Sequence, residues 1–132
     1  MAPRKRQDTL QNAVKRFSQP FKSMEEVAVV SMKLDEIVGI LLRSPYVQGR
    51  LGQGRVTELA AAAPELPSLL REIGEAGFAE AADGASDLLE ISRSSVADFG
   101  GAEDEVMIAN KARERFHRAF VGLLATIDLE TR

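Results

Sequence analysis

The chain contains no cysteine and no tryptophan, and only one histidine and one tyrosine. Without cysteine there is no disulfide, zinc-thiolate site, iron–sulfur cluster or cysteine nucleophile. Aromatic residues make up 5% of the chain. The core must therefore be mostly Leu, Val, Ile and Ala. No apolar run reaches the ~18 residues needed to span a bilayer, so no membrane span is expected. The N-terminus is basic but lacks the apolar stretch of a secretory signal, and a cytoplasmic location is the expectation.

What is present fits a soluble domain. The 132 residues are 45% hydrophobic and 28% charged, a globular balance rather than a disordered one. Net charge is -3, but it is spread unevenly. Residues 1–22 carry six basic groups (Arg4, Lys5, Arg6, Lys15, Arg16, Lys22) against Asp8. Residues 58–105 carry twelve acids against Arg71 and Arg93. This split is the strongest non-structural feature. It divides the chain into a basic N-terminal arm with a short helix, 1–22, and a single helical domain, 23–132.

Two long amphipathic segments organise the rest. From Ala102 to Leu129, Ala109, Ala112, Phe116, Phe120, Leu123 and Ile127 recur at three- and four-residue intervals, which puts them on one helical face. Val106 and Leu124 widen that stripe. Glu103, Asp104 and Glu105 fall in the first turn, where carboxylates are favoured, and no proline interrupts the segment. Ser23-Met24-Glu25-Glu26 is a capping box, and it opens a helix expected to reach Arg43. Val27, Val30, Leu34, Val38 and Leu41 form the main stripe of that helix. Val29, Met32 and Ile40 lie on its other side. A helix apolar on two sides is central in its fold or shared between subunits, so these three are the expected oligomer interface. Gly39 costs about 1 kcal/mol there against alanine, a cost that close helix contact would justify.

Shorter segments connect these two. Asp8 can cap a helix to about Phe17, with Leu10, Val14, Phe17 and Phe21 as its apolar edge and Pro20 interrupting it. Ser44-Pro45 starts a new turn. Gly49 to Arg55 reads as a flexible interhelical loop. It lacks the Gly-Lys-Ser/Thr ending and the spacing of nucleotide loops. Thr57 begins a helix stopped by Pro64, and Pro67-Ser68 begins another through Glu75 or Ala76. Gly77 and Gly84 weaken the helix signal from Phe78 to Ala85, and Ser86 caps a further helix, Asp87 to Phe99.

Thr57-Glu58-Leu59-Ala60, followed by Leu69-Leu70-Arg71-Glu72-Ile73-Gly74 and ending at Gly77-Phe78, resembles the helix-turn-helix core of winged-helix bacterial regulators. The resemblance implies a recognition helix in DNA. It spans residues 57–78, about a sixth of the chain. The same residues also read as a plain helical hairpin. The would-be recognition helix offers Arg71 beside Glu65, Glu72 and Glu75, and carboxylates repel phosphates.

Little else in the sequence carries chemistry. Glu114-x-x-His117 on a helix is half of a di-iron carboxylate motif, and Glu25, Glu26, Asp35 or Glu36 could add ligands. Arg113, Arg115 and Arg118 would repel a metal there. His117 therefore reads as a flank residue beside Phe120 or Val121, and no cofactor or metal is expected.

The expectation is an all-α irregular bundle of about five helices, centred on Met24–Arg43 and Ala102–Leu129, with a basic N-terminal arm. Its expected function is non-enzymatic interaction with a protein partner, as adaptor, regulator or assembly factor, through homo-oligomerisation and charge complementarity. The alternative is nucleic-acid binding. Arg4, Lys5, Arg6, Lys15, Arg16, Arg50 and Arg55 are the candidate contacts for nucleic acid or an acidic partner.

Overall fold

The Ser23 hydroxyl accepts from the Glu26 N–H at 3.1 Å, and the Glu26 carboxylate accepts from the Lys22 N–H at 3.2 Å. The capping box forms, reaching one residue further back than its usual geometry. This computed structural model describes residues 10–74, 76–93 and 102–131. Arg4, Lys5, Arg6, the Asp8 cap, Phe99 and the Gly100-Gly101 break lie outside the described residues.

A short helix over residues 10–15 (α1) runs into a 3₁₀ turn, Arg16–Ser18. Seven helices follow: α2 Met24–Ser31, α3 Lys33–Arg43, α4 Pro45–Leu51, α5 Gln53–Ala62, α6 Leu66–Ile73, α7 Ala76–Arg93 and α8 Ala102–Thr131. No strand occurs among the described residues.

Three sequence expectations need correction here. The segment from Met24 to Arg43 is two helices, not one. Met32 N–H bonds to the Val29 carbonyl and Asp35 N–H to the Met32 carbonyl, both at 3.2 Å. These i to i−3 bonds tighten the chain at the junction. Gly49 to Arg55 is not a loop but the end of α4 and the start of α5. Only Gly52 breaks the pattern, at φ +87°, a conformation that favours glycine. The weakly signalled segment from Phe78 to Ala85 and the helix expected to begin at Asp87 merge in one helix, α7, with Ser86 inside it. Among the described residues, seven helices from α2 onward thus replace about five.

The glycines of α7 explain the merger. An alanine Cβ at Gly84 would lie 2.7 Å from Phe116 N and 2.8 Å from Phe116 Cα. One at Gly77 would lie 2.8 Å from Leu123 Cδ2. Residues seven apart on α7 thus meet residues seven apart on α8, in reverse order. Two turns on one antiparallel helix match two turns on the other. Ala81, Ala82 and Ala85 on α7 and Ala109 and Ala112 on α8 are all buried. These small side chains let the two helices approach closely. Weak helix formers here serve packing.

α8 therefore packs chiefly on α7, with α2, α4 and the 3₁₀ turn against it as well. α7 packs in turn on α6 and α2. The centre of the fold is α7–α8, not α8 with Met24–Arg43. The expected α8 stripe, Ala109 through Ile127, is buried throughout. Glu105, expected on a solvated first turn, is also fully buried, one turn before Ala109 on the same stripe, and neither carboxylate oxygen has a hydrogen-bond partner in the structure. The scarce aromatics concentrate in the core. Phe116 meets Phe17 edge-on at 5.0 Å and Phe120 at 5.4 Å, and Tyr46 stacks on Phe78 at 6.2 Å.

Residues 10–21 belong to this core. Leu10, Val14, Phe17 and Phe21 are buried with the rest in one cluster. Two α8 side chains clasp the segment. The Asn110 amide accepts from Phe21 N–H at 2.8 Å and donates to the Phe21 carbonyl at 3.1 Å. The buried Arg113 donates to the Phe17 carbonyl at 2.7 Å and to Asn110 Oδ1 at 3.0 Å. Asn110→Ala strands both polar groups of Phe21. Its expected cost is about 1–2 kcal/mol, read by urea unfolding. A cost within experimental error would show that the clasp holds nothing.

Candidate functional site

The expected interface residues separate. Ile40 is buried in the single chain and is not available to a partner. α3 packs on α2, α4, α5 and α6 together, so its broad apolar face (Leu34, Ile37, Val38, Ile40, Leu41) is covered from within. Of the second apolar side of this stretch, only Ile40 is covered by the chain itself. Val29 and Met32 remain outside, at 65% and 70% exposure. They sit three residues apart at the end of α2, flanked by the exposed acids Glu25, Asp35 and Glu36. Lys33 pairs with Glu36 at 3.2 Å. The ridge is apolar with an acidic rim.

The other exposed large apolar side chains among the described residues are all on α8: Met107 at 53%, Ile108 at 38% and Val121 at 45%. Ile108 lies on a surface groove of about 420 Å³ between α7 and α8. Ile91 and Ile108 give the groove its apolar part. Asp87 and Glu90 line it from α7, Lys111 and Arg115 from α8. Each wall extends further along its helix. Glu80, Asp83, Asp87 and Glu90 recur at three- and four-residue steps, as do Lys111, Arg115 and Arg118. Arg115 joins the two rows, reaching Glu80 at 2.6 Å, Asp83 at 3.2 Å and Asp87 at 3.7 Å. The Arg115 hydrogen bond holds the Glu80 carboxyl below its ordinary pKa.

The basic residues singled out from sequence are placed as follows. Lys15 is exposed on α1. Arg16 is half-buried and pairs with Glu26 at 3.4 Å. Arg50 is exposed on α4. Arg55, on α5, is engaged by acids: it bonds Glu72 at 2.7 Å and Glu58 at 3.3 Å. That hydrogen bond lowers the Glu72 pKa and raises that of Arg55.

The helix-turn-helix segment forms a hairpin. Ala63 and Gly74 both adopt left-handed backbone at the turns around α6. Leu66, Pro67, Leu69, Leu70 and Ile73 of α6 are buried. The outward face is Ser68, Arg71 and Glu72, and both charges are engaged, Arg71 by Asp83 at 3.0 Å and Glu72 by Arg55. No strand is present among the described residues to form a wing.

No group of acids and histidine able to hold a metal occurs among the described residues. Glu114 is exposed and its carboxylate accepts from Arg113 at 3.4 Å. His117 is half-buried, and burial, followed by the Arg113 charge, lowers its pKa below the ordinary value. The folded chain thus binds that proton less readily than the unfolded chain. Stability should be full above about pH 6.5 and fall as the solution is acidified below it. His117→Gln should flatten that part of a melting-temperature profile between about pH 7.5 and 5.5. An unchanged slope would mean the histidine is not coupled to folding.

Sequence reasoning missed Asn110 and Arg113. A signal was there: asparagine is a poor interior helix residue, and Asn110 sits mid-helix at the stripe's edge. The acidic and basic rows of α7 and α8 could also be read as helical spacing. Their adjacency depended on the antiparallel register, which glycine packing sets.

No helix among the described residues is long and apolar enough to cross a membrane. The fold defines an all-α bundle with an apolar, acid-rimmed ridge and a two-signed charged seam. No family model, curated protein or solved structure matches the chain.

Proposed function

We propose that this chain is a non-enzymatic helical interaction protein, an adaptor, regulator or assembly factor that works by homo-oligomerisation and charge-complementary contacts. One observation carries the reading. Among the described residues, large apolar side chains are buried in the core or partly buried against it, except at two adjacent pairs, Val29 with Met32 and Met107 with Ile108, and at Val121. Each pair lies beside organised charge. Exposed apolar groups with a charged rim suit a protein partner.

The test is the mass of the full chain by light scattering, across concentration, with and without mixed-sequence duplex DNA. The expected result is a mass above the 14.4 kDa of one chain, unchanged by duplex. A single-chain mass under every condition would overturn the reading. A salt-sensitive gain in mass with duplex, lost when residues 1–7 are removed, would favour nucleic-acid binding through the basic N-terminus instead.

A further inference from the structure

We infer that the open face of α2 and α3 binds an α-helix of another protein, one that carries a lysine or arginine in an otherwise apolar stripe. The inference rests on the proposed reading only in that the chain works by binding protein. Ala28, Met32, Asp35, Gly39 and Leu42 recur at alternating four- and three-residue steps. That is the heptad row by which two helices pair. Met32 keeps right-handed helical angles, φ −64° and ψ −22°, so the row carries across the junction between α2 and α3. The described chain leaves this row open. Ala28, Met32 and Asp35 are exposed, and Gly39 and Leu42 are half-buried.

Beyond Met32 the row forms one wall of a surface groove of about 490 Å³ between α3 and α5. Gly39 and Leu42 line it from α3, Ala63 and Pro64 from α5, with Asp35 at its edge. A glycine inside a helix is destabilising against alanine. Gly77 and Gly84 offset this by admitting α8. Gly39 admits nothing of its own chain: beyond the helix backbone, an added methyl would meet only the Arg43 guanidinium, at 3.5 Å. That open floor suits a large apolar side chain of a second helix, and Met32 suits a small one, knob into hole. Charge then selects the partner. Asp35 stands at the centre of the row. Its neighbour Glu36 is paired with Lys33, and Arg93, whose charge reaches Asp35, is hydrogen-bonded to Glu65. No hydrogen bond or ion pair holds Asp35 among the described residues. Glu25 lies ten residues back on the same face, ~15 Å along the axis, and Arg43 stands at the far end of the groove. A second copy offers Asp35 no uncommitted cation here, since Lys33 is paired and Arg43 is engaged within its own chain. A basic side chain from another protein is complementary.

The probe is a fluorescein-labelled alanine/glutamine helix of about 18 residues, long enough to hold its fold. It carries leucines along one heptad row and a single lysine at the centre of that row. A second probe has glutamate in place of that lysine, so the two differ at one side chain. Fluorescence anisotropy with the full chain reads binding. The lysine helix is expected to bind about tenfold or more tighter than the glutamate helix. Asp35→Lys should reverse that order. It leaves the Lys33–Glu36 pair and Arg93 in place, so the centre of the row becomes basic. Gly39→Leu fills the groove from within. It is expected to weaken the lysine helix about tenfold or more without lowering the melting temperature, because the site is open and leucine is the better helix former.

Equal binding of the two helices overturns the inference, as does no binding of the lysine helix up to ~1 mM. So does an Asp35→Lys variant that keeps the wild-type order. A Gly39→Leu variant that binds as the wild type does places the helix elsewhere on the acidic surface and overturns the groove. If copies of the chain associate in light scattering and Met32→Glu alone separates them, a second copy occupies the row; the inference is then overturned and the proposed function stands. A chain that neither self-associates nor binds either helix removes both.

Discussion

Phe116→Ala is expected to lower the free energy of unfolding by about 3–5 kcal/mol, the largest effect of any single truncation considered. Phe116 is fully buried and sits where three elements meet. Its ring touches Phe17 of the N-terminal 3₁₀ turn and Phe120 of its own helix, and its backbone lies under Gly84 of α7. The transfer cost of the ring is common to any buried phenylalanine. The extra cost is the cavity, and it depends on how far the surroundings can close in. Here the Asn110 and Arg113 clasp fixes Phe17 from one side, and the glycine contact fixes α7 from the other. Little collapse is possible, so the upper part of the range is expected. Urea unfolding with an unchanged slope is the measurement. Val121→Ala, at an exposed site on the same helix, should stay within about 0.5 kcal/mol. A Phe116→Ala cost near 1 kcal/mol would contradict the described core.

Gly84→Ala is expected to destabilise by about 1–3 kcal/mol, although alanine is the better helix former by about 1 kcal/mol. Packing wins because the obstacle is backbone. The new methyl would lie 2.7 to 2.9 Å from Phe116 N, Cα and Cβ. No side chain can rotate away, so the two helices must separate along the seam where they are closest. Gly77→Ala should cost less, since its nearest obstacle is the tip of Leu123. Gly39→Ala should go the other way and stabilise by about 0.5–1 kcal/mol. Its added methyl would meet only the Arg43 guanidinium, at an ordinary 3.5 Å. The close helix contact expected at Gly39 is found at Gly84 instead. A rise in melting temperature for Gly84→Ala would show that α7 and α8 are not packed as described.

The two glycines show how far the sequence could be read. Both interrupt helical patterns, and their intrinsic cost is identical. Nothing local distinguishes one facing a guanidinium from one lying against a backbone. The same holds for the apolar residues of Met24–Arg43. Val29, Met32 and Ile40 look alike along the chain. Ile40 is buried, on a helix that packs on α4, α5 and α6, which no three- or four-residue spacing announces. Arg113 and Arg115 both read as polar flank. One is buried on a carbonyl of residue 17, the other bridges to α7. Glu105 reads as a solvated helix start, yet the register of α8 carries it inside.

By itself the sequence determined the helical class, the buried stripe of α8, the Ser23 and Ser44 caps, the break at Pro64, and the exclusion of thiol chemistry. Those follow from side-chain period, backbone freedom and composition, which act within a few residues. Tertiary structure decided that α7 rather than Met24–Arg43 is the partner of α8, which apolar residues stay exposed, and that an acidic and a basic row run side by side. Those depend on contacts between residues far apart in the chain, and such contacts are set by how closely two backbones can approach.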